Sequence, residues 1–86
     1  MEKRNPDNTS IKIYSTPWCG PCNMAKKFLS QKGYQFEEVD IEKNNISREE
    51  MASMTKGTTV PQILINNHPI GGFDDLIQLF ETEPFK

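Results

Sequence analysis

The sequence predicts an α/β domain in which a four-stranded mixed sheet is flanked by three helices. Short apolar stretches typical of strands are separated by stretches whose apolar residues recur at helical spacing. Along the chain these elements follow the order β-α-β-α-β-β-α, which implies a right-handed crossover between parallel strands and then an antiparallel hairpin. The length of 86 residues suits one small domain.

The first strand follows a polar lead-in. Residues 1–9 are rich in Asn, Pro, Asp and Thr and are predicted to be flexible, so we expect the domain to span residues 10–86. The alternation in SIKIYS, residues 10–15, predicts the first strand. No internal repeat or low-complexity linker divides the chain beyond it.

The first helix is predicted from about Pro21 to Lys32. Gly33 stands where such a helix would end, since glycine readily adopts the backbone conformation that follows a helix. Four apolar residues recur at helical spacing before it: Met24, Ala25, Phe28 and Leu29.

The second strand and the second helix follow. YQFEEVDI, residues 34–41, has strand character, and NNISREEMASMTK, residues 44–56, predicts a helix. Ser47 is its expected N-cap, because Glu50 three residues later completes the pattern of a capping box.

The remaining elements form a hairpin and a closing helix. VPQILI, residues 60–65, is the most continuously apolar run and therefore the expected central strand. The two asparagines at 66–67 predict a hairpin turn, because Asn tolerates positive φ. HPIGG, residues 68–72, then supplies a short last strand, and FDDLIQLFE, residues 73–81, an amphipathic helix.

The charge pattern argues against several partners. The net charge is −2 with both signs mixed along the chain, so neither nucleic acid nor an anionic membrane is expected to bind. No apolar run approaches the ~18 residues of a membrane helix, and the amino terminus lacks the apolar section of a secretory signal. We therefore expect a cytoplasmic protein, acting as a monomer.

The two cysteines of the chain lie three residues apart in STPWCGPCNMAKKF, residues 15–28. In the cytoplasm, structural disulfides are rare, so such a pair is more often catalytic or metal-binding. The pair falls between the first strand and the first helix, at the carboxyl ends of the strands, where chemistry gathers in open α/β sheets. We expect this corner to be exposed.

The position of the pair suits thiol–disulfide exchange. Cys19 lies at the amino end of the helix, where the backbone amides and the helix dipole favour a thiolate. Cys22 is about one turn away, within disulfide reach at a Cα separation of roughly 5 to 6 Å. Gly20 would let a substrate approach closely, and Pro21 suits the first helical turn. Cys19 is thus the expected nucleophile and Cys22 the resolving cysteine.

Other interpretations of these residues are structural. A zinc site would need about four ligands, and besides the two cysteines His68 is the only other candidate for a soft zinc ligand. His68 is more simply interpreted as a residue of the hairpin. Trp18 is either an apolar wall beside the nucleophile or a packing residue. Three methionines at helical spacing are most simply core residues: Met24, Met51 and Met54.

Two motifs carry a resemblance to a known family. WCGPC resembles the active site of thioredoxins, whereas TVPQILINNHPIGGFDDL is similar to the carboxyl half of glutaredoxins, and the likeness covers roughly residues 11–82. The resemblance implies a thioredoxin-like fold, glutathione as reducing cosubstrate and no tightly bound cofactor or metal. It also implies a cis Val60–Pro61 bond and glutathione-binding roles for five residues: Thr59, Val60, Gly72, Phe73 and Asp74.

Physical chemistry gives each implied role a basis. Pro61 beside Cys19 would lack an amide and so exclude a competing ligand, while Val60 would offer its backbone to an extended peptide. The amides of Phe73 and Asp74 would suit the γ-glutamyl carboxylate, and the Asp74 side chain could meet the ammonium group. Both Asp74 and Asp75 also have a simpler interpretation as helix-start acids, which is the preferred one for Asp75.

Departures from the glutaredoxin pattern leave the reductant open. Many dithiol glutaredoxins have Pro-Tyr between the cysteines and a lysine three residues before the first, whereas this chain has Gly20-Pro21 and Thr16 at those positions. Lys56 is the candidate for a partial replacement of that lysine. Gly-Pro is the thioredoxin spacer and favours a potential lower than that of a typical glutaredoxin. One alternative is a redoxin that serves ribonucleotide reductase and is reduced by thioredoxin reductase. Another is a [2Fe–2S] dimer held by the first cysteine and glutathione.

Overall fold

The computed structural model describes residues 9–82, and within them the predicted order of elements is confirmed. The predicted lead-in therefore lies almost entirely outside the described residues. Four strands and three helices follow one another as β1 (Ile11–Ser15), α1 (Gly20–Gln31), β2 (Glu37–Asp40), α2 (Arg48–Met54), β3 (Gln62–Ile65), β4 (His68–Gly71) and α3 (Phe73–Thr82).

The four strands form one mixed sheet in the order β2-β1-β3-β4. β1 pairs with β2 in parallel, whereas β3 is antiparallel to both β1 and β4. The prediction that VPQILI supplies a central strand is confirmed, because β3 lies inside the sheet. Since side chains of a strand alternate between faces, β1 contributes to two cores.

The larger core lies between one face of the sheet and helices α1 and α3. Its fully or nearly fully buried members are Ile11, Ile13, Ala25, Leu29, Tyr34, Ile63, Ile65 and Leu76. A smaller core on the opposite face places Tyr14 of β1 against Met51 of α2 and Ile41. Helices thus cover both faces, as the sequence predicts.

Some element ends differ from the predictions. β2 begins at Glu37 instead of residue 34, because Tyr34 belongs to the end of the α1 turn: its N–H donates to the carbonyl of Leu29 at 2.9 Å. Gly33, with φ of 86°, makes this reversal possible. α2 is also shorter than predicted, since the Thr55 hydroxyl donates to the Met51 carbonyl at 2.7 Å and the Thr55 backbone is extended.

Two local predictions are confirmed in detail. The capping box of α2 is complete: the Ser47 Oγ accepts from the Glu50 N–H at 3.0 Å, and the Glu50 carboxylate accepts from the Ser47 N–H at 2.8 Å. The hairpin between β3 and β4 turns through Asn66 and Asn67, with φ of 51° and 68°. Both features are local, so the sequence alone specifies them.

The methionine prediction is correct for only one of the three residues. Met51 is fully buried in the smaller core, whereas Met24 and Met54 are 58% and 44% exposed. Met54 still makes a contact, because its sulfur accepts from the Tyr14 hydroxyl at 3.9 Å. Helical spacing placed all three on α1 or α2, but it did not tell which turns of these helices the sheet covers. Among residues 9–82, no helix is long and apolar enough to cross a membrane.

Candidate active site

The antiparallel pairing of β3 brings three distant parts of the chain to one edge of the sheet. β1 ends at this edge with Ser15, and the cysteine loop follows. β3 begins here, since Tyr14 pairs with Gln62, so residues 59–61 arrive beside the loop. β4 runs back to the same edge, where Gly71 pairs with Ile63 and leads into α3. The strand order therefore builds the site.

The two cysteines lie at the amino end of α1 and are joined by a disulfide. Cys19 is the N-cap, with an extended backbone, and Cys22 lies in the first turn. Their Cα atoms are 5.1 Å apart, within the predicted range. The Cys22 N–H donates to the Cys19 Sγ at 3.0 Å, so the helix end directs a donor at this sulfur. Among the residues of the first turn there is no acidic side chain.

The pair is more buried than the sequence suggests. Cys22 is fully buried and Cys19 is only 7% exposed, while their neighbours Pro17, Gly20 and Pro21 are exposed. The prediction of an exposed corner thus holds for the loop but is wrong for the sulfur-bearing residues, because Cys22 faces the interior from the first turn of α1. Of the two cysteines, only Cys19 keeps accessible surface. Its role as the attacking nucleophile stays a prediction.

A groove of about 710 Å³ lies beside the cysteine helix. Its walls include the five residues predicted to bind glutathione and the predicted cis-proline: Thr59, Val60, Gly72, Phe73, Asp74 and Pro61. Trp18, for which a position beside the nucleophile was one interpretation, is not among the lining residues. The α1 side is formed by Gly20, Pro21 and Met24. Met24 is a lining residue that the sequence analysis missed, since its helical spacing indicated a core position.

Pro61 and Gly72 bring the two predicted binding segments into contact. The Val60–Pro61 peptide bond is cis, as the resemblance implies. A Cβ atom added to Gly72 would lie 3.3 Å from the Pro61 carbonyl oxygen, closer than most such contacts in proteins. Gly72 therefore allows the start of α3 to pack against the cis-proline segment.

The first residues of α3 line the groove. The Leu76 N–H donates to the Gly72 carbonyl at 3.0 Å, and the Gly72 N–H donates to the Asp75 carboxylate at 3.0 Å. This contact agrees with the preferred interpretation of Asp75 as a helix-start residue. The amides of Phe73 and Asp74 belong to the first turn, where backbone N–H groups have no partner within the helix.

Gln62 is a second residue that the sequence analysis missed. Its side chain is almost fully buried, accepts from the Lys56 N–H at 3.3 Å and donates to the Thr59 hydroxyl at 3.4 Å. These two bonds hold the loop that carries Thr59 in place. A polar residue directly after Pro61, inside an apolar strand, was the available signal.

Lys56 is the only cation among the described residues that line the groove. Thr16, which stands where many glutaredoxins have lysine, is not among the lining residues. His68 lies on β4 and is likewise outside the groove. Lys56 is thus the cationic side chain available to a negatively charged ligand.

A hydrogen-bonded ion pair connects α1 to the sheet behind the cysteines. The Lys26 Nζ lies 2.8 Å from a carboxylate oxygen of Glu38 on β2, and the same oxygen accepts from the buried Ser15 hydroxyl at 2.8 Å. The bonds from Lys26 and then from Ser15 lower the pKa of Glu38 below its usual value. The ion pair and the hydroxyl bond together tie α1, β1 and β2 to one another.

Comparison with known proteins agrees with this arrangement. The glutaredoxin family model matches residues 11–70. Glutaredoxin 3 of Escherichia coli K12 is 46% identical over 70 residues, which cover 81% of this chain and 84% of that protein. The solution structure of a Brucella melitensis glutaredoxin has 35% identity and a TM-score of 0.68, covering 84% of this chain and 78% of the other.

A further match supports the fold alone. A buckwheat glutaredoxin crystallised with glutathione superposes with a TM-score of 0.78 over 90% of this chain and 73% of its own, at 22% identity. The architecture is therefore the thioredoxin-like fold. Taken together, the family model, the bacterial relatives and the Cys19–Cys22 disulfide show that this chain belongs to the glutaredoxin family of thiol–disulfide oxidoreductases.

Proposed function

We propose that this protein uses glutathione to reduce protein disulfides and glutathione mixed disulfides through Cys19 and Cys22. The observation that carries the proposal is the groove, in which the cysteine helix, the Val60–Pro61 segment and the start of α3 meet. Its volume of about 710 Å³ lies within the usual size of small-ligand sites.

The proposed reaction begins with the reduced pair. The Cys19 thiolate attacks one sulfur of the substrate disulfide, whose other sulfur leaves as a thiolate and takes up a proton. In the dithiol route Cys22 attacks the Cys19 sulfur of the mixed disulfide, which forms the Cys19–Cys22 disulfide and releases the bound substrate sulfur as a thiolate; two glutathione molecules then reduce the Cys19–Cys22 disulfide and become glutathione disulfide. When the sulfur bound to Cys19 belongs to glutathione, a second glutathione thiolate can attack that sulfur instead, which releases the Cys19 thiolate and forms glutathione disulfide. In either route two electrons pass to the substrate in each cycle. The chemistry requires no tightly bound cofactor.

Glutathione has suitable partners along the whole groove. Val60 offers backbone donor and acceptor groups to the extended tripeptide, and Thr59 lies next to it. The amides of Phe73 and Asp74 suit the γ-glutamyl carboxylate, close to Gly72, and the Asp74 side chain suits the ammonium group. Lys56 is the proposed partner of the glycyl carboxylate, in the role that Thr16 cannot fill.

The proposal extends to the working context of the protein. We assign the activity to a monomeric domain of residues 10–86 that acts in the cytoplasm. Its proposed clients are proteins with accessible disulfides or glutathionylated cysteines, with ribonucleotide reductase as one candidate. Cys19, Cys22 and Pro61 are the proposed reaction-site residues.

A coupled assay with glutathione, glutathione reductase and NADPH tests the proposal. We expect the protein to turn over a small glutathione mixed disulfide, and Cys22→Ser to retain that turnover because glutathione itself resolves the intermediate. Complete loss of turnover in Cys22→Ser would instead indicate a thioredoxin-like dithiol route. Cys19→Ser is the control and should be inactive.

A second candidate is a redoxin that thioredoxin reductase reduces. The Gly20-Pro21 spacer and Thr16 favour it, since both positions differ from the usual dithiol glutaredoxin. Replacing glutathione and its reductase with thioredoxin reductase in the same assay separates the two. Turnover only with thioredoxin reductase would overturn the glutathione proposal.

A further inference from the structure

The loop between α2 and β3 carries two of the proposed glutathione partners, Lys56 and Thr59. The loop forms neither helix nor strand, so no ladder of backbone hydrogen bonds fixes its shape. Side chains from the adjoining elements hold it instead. The Arg48 guanidinium donates to the Thr58 carbonyl at 2.8 Å, and the Gln62 amide bonds to the loop at two points. The placement of both ligand partners therefore depends on side-chain contacts.

Gln62 is the first residue of β3 and only 3% of its surface is exposed. Burial of a side-chain amide is costly unless its oxygen and nitrogen both find hydrogen-bond partners. Here the partners are the Lys56 N–H and the Thr59 hydroxyl. Gly57 passes close to the same amide, since an added Cβ would lie 3.6 Å from the Gln62 Nε2. The buried amide is thus satisfied by the loop that carries the ligand partners.

A backbone group fixes the orientation of the Gln62 amide. The Lys56 N–H can only donate, so the amide oxygen faces it and accepts at 3.3 Å. The amide nitrogen then faces Thr59 and donates to its hydroxyl oxygen at 3.4 Å. Because the hydroxyl oxygen serves as the acceptor of this bond, its hydrogen is available to an acceptor in the groove, which Thr59 lines as an exposed residue. Gln62 thereby makes Thr59 a donor toward a ligand.

We propose that Gln62 is a positioning residue that prepares Lys56 and Thr59 to bind the glycyl carboxylate of glutathione together. The inference rests on the proposed function and deepens it, because it names the residue through which the site prefers a carboxylate at this end of the ligand. Lys56 supplies a positive charge, and Thr59, three residues later in the same loop, supplies a donor. A carboxylate only accepts hydrogen bonds, so it matches this pair.

Two probes that differ in one group test the proposal. Both are mixed disulfides with nitrothiobenzoate as the leaving thiol; one contains glutathione, and the other contains its glycyl ethyl ester, which lacks the carboxylate charge. In the reduced, desalted protein the Cys19 thiolate attacks the glutathione sulfur and nitrothiobenzoate leaves as a coloured thiolate, so one disulfide bond breaks and one forms. The ratio of the two second-order rate constants for colour release is the carboxylate preference.

We expect the unsubstituted protein to react about fivefold or more faster with the glutathione probe than with the ester probe. Gln62→Met keeps a long unbranched side chain without the amide and should lower this preference at least about threefold. Thr59→Val should also lower it, whereas Thr59→Ser keeps the hydroxyl and should retain most of it. The double variant Gln62→Met/Thr59→Val should show the preference of Gln62→Met alone, because Gln62 acts through Thr59.

The same substitution outside the groove is the matched control. Gln35 is exposed and does not line the groove, so Gln35→Met should leave the preference unchanged. The ratio compares two probes on one protein, so a smaller folded fraction or a less reactive Cys19 slows both reactions and leaves the ratio as it was. A role of Gln62 in stability alone would therefore not move the preference.

Equal rates for the two probes with the unsubstituted protein would overturn the proposal, and so would an unchanged preference in Gln62→Met. If Gln62→Met does not fold, the exposed partner decides: a preference that Thr59→Val leaves intact would overturn the proposal as well. The measurement uses no reductase, so turnover only with thioredoxin reductase in the coupled assay would reject the glutathione cycle without changing this ratio. The two proposals therefore fail separately.

Discussion

Gly72 shows how a single residue determines the shape of the groove. It lies at the junction of two binding segments, where an added Cβ would come within 3.3 Å of the Pro61 carbonyl oxygen. Its own N–H is occupied by Asp75, so the amides that remain for a ligand are those of Phe73 and Asp74. The close approach explains why a residue without a side chain occurs before α3.

Lys56 provides a test of ligand charge at the residue scale. Lys56→Glu replaces the only cation among the described lining residues with an anion, so we expect weaker binding of the glycyl carboxylate. Because a hydrogen bond to a charged group contributes about 1.5–3 kcal/mol, kcat/KM for a glutathione mixed disulfide should fall about tenfold or more. The steady-state kinetics of the coupled assay measure this loss.

A charge reversal outside the groove is the matched control for Lys56. Lys43→Glu changes the net charge by the same amount, in the turn that follows β2, and Lys43 does not line the groove. We expect kcat/KM to change less than about twofold, as for an exposed and screened charge. Equal losses in the two variants would show that net charge matters and that a specific contact with Lys56 does not.

At the scale of elements, the capping box makes α2 a test of local stabilisation. Ser47→Ala removes the acceptor for the Glu50 N–H, and we expect the free energy of unfolding to fall by about 1 kcal/mol. Urea denaturation measures the change. Ser53→Ala is the control, since its hydroxyl only donates to the Glu50 carbonyl of the same helix. A loss no larger than that of Ser53→Ala would contradict a stabilising cap.

The connection between α1 and β2 predicts a pH dependence of stability. The pKa of Glu38 is lowered in the folded state, so its contacts with Lys26 and Ser15 stabilise the fold above the unfolded-state pKa of about 4.3. This contribution is lost as the pH falls through the folded-state pKa. Because the carboxylate is partly exposed, the contribution at neutral pH is expected to be about 1 kcal/mol or less.

Glu38→Gln and a neighbouring substitution measure that contribution. We expect the difference in unfolding free energy between the protein and Glu38→Gln to be largest near pH 7 and to shrink below about pH 4.3. Glu37→Gln removes a carboxylate from the same strand without breaking the Lys26–Glu38 pair. A difference that is independent of pH for Glu38→Gln would rule out the linkage.

At the scale of the whole molecule, the reduction potential reflects the thioredoxin-like spacer in a glutaredoxin fold. Thioredoxin lies near −270 mV and glutaredoxins at about −200 to −230 mV, so we expect a potential below the glutaredoxin range. Replacing Gly20-Pro21 with Pro-Tyr should raise it by about 40 mV or more. Equilibration with glutathione buffers measures both potentials. A value well above about −200 mV for the unsubstituted chain would contradict the prediction.

The sequence predicted the parts of this molecule that depend on neighbouring residues. The capping box at Ser47, the Asn66–Asn67 turn and the cysteine spacing are specified within a few positions, and all three occur in the structure. Features that depend on packing between distant residues were harder to predict from the sequence. Periodicity did not distinguish buried Met51 from exposed Met24, because that difference depends on which helix turns the sheet covers.

In the candidate site, too, some features were predicted from the sequence and others depend on how the chain folds. The glutaredoxin resemblance indicated which residues line the groove, but their meeting depends on the antiparallel pairing of β3 with β1 and β4. Periodicity and composition alone leave strand order open. The burial of Cys22 and the bonds made by Gln62 likewise depend on contacts between residues brought together by folding.

The assembly of the groove from three separated stretches has a consequence for fragments of this protein. A short synthetic peptide with the sequence of residues 15–28 would retain both thiols and their spacing. It would lack the segments from β3, β4 and α3 that complete the lining. Such a peptide could still exchange disulfides, but it would lack both the lining segments and the stable helix end that favours the Cys19 thiolate. Selectivity and heightened reactivity are therefore both properties of the folded domain.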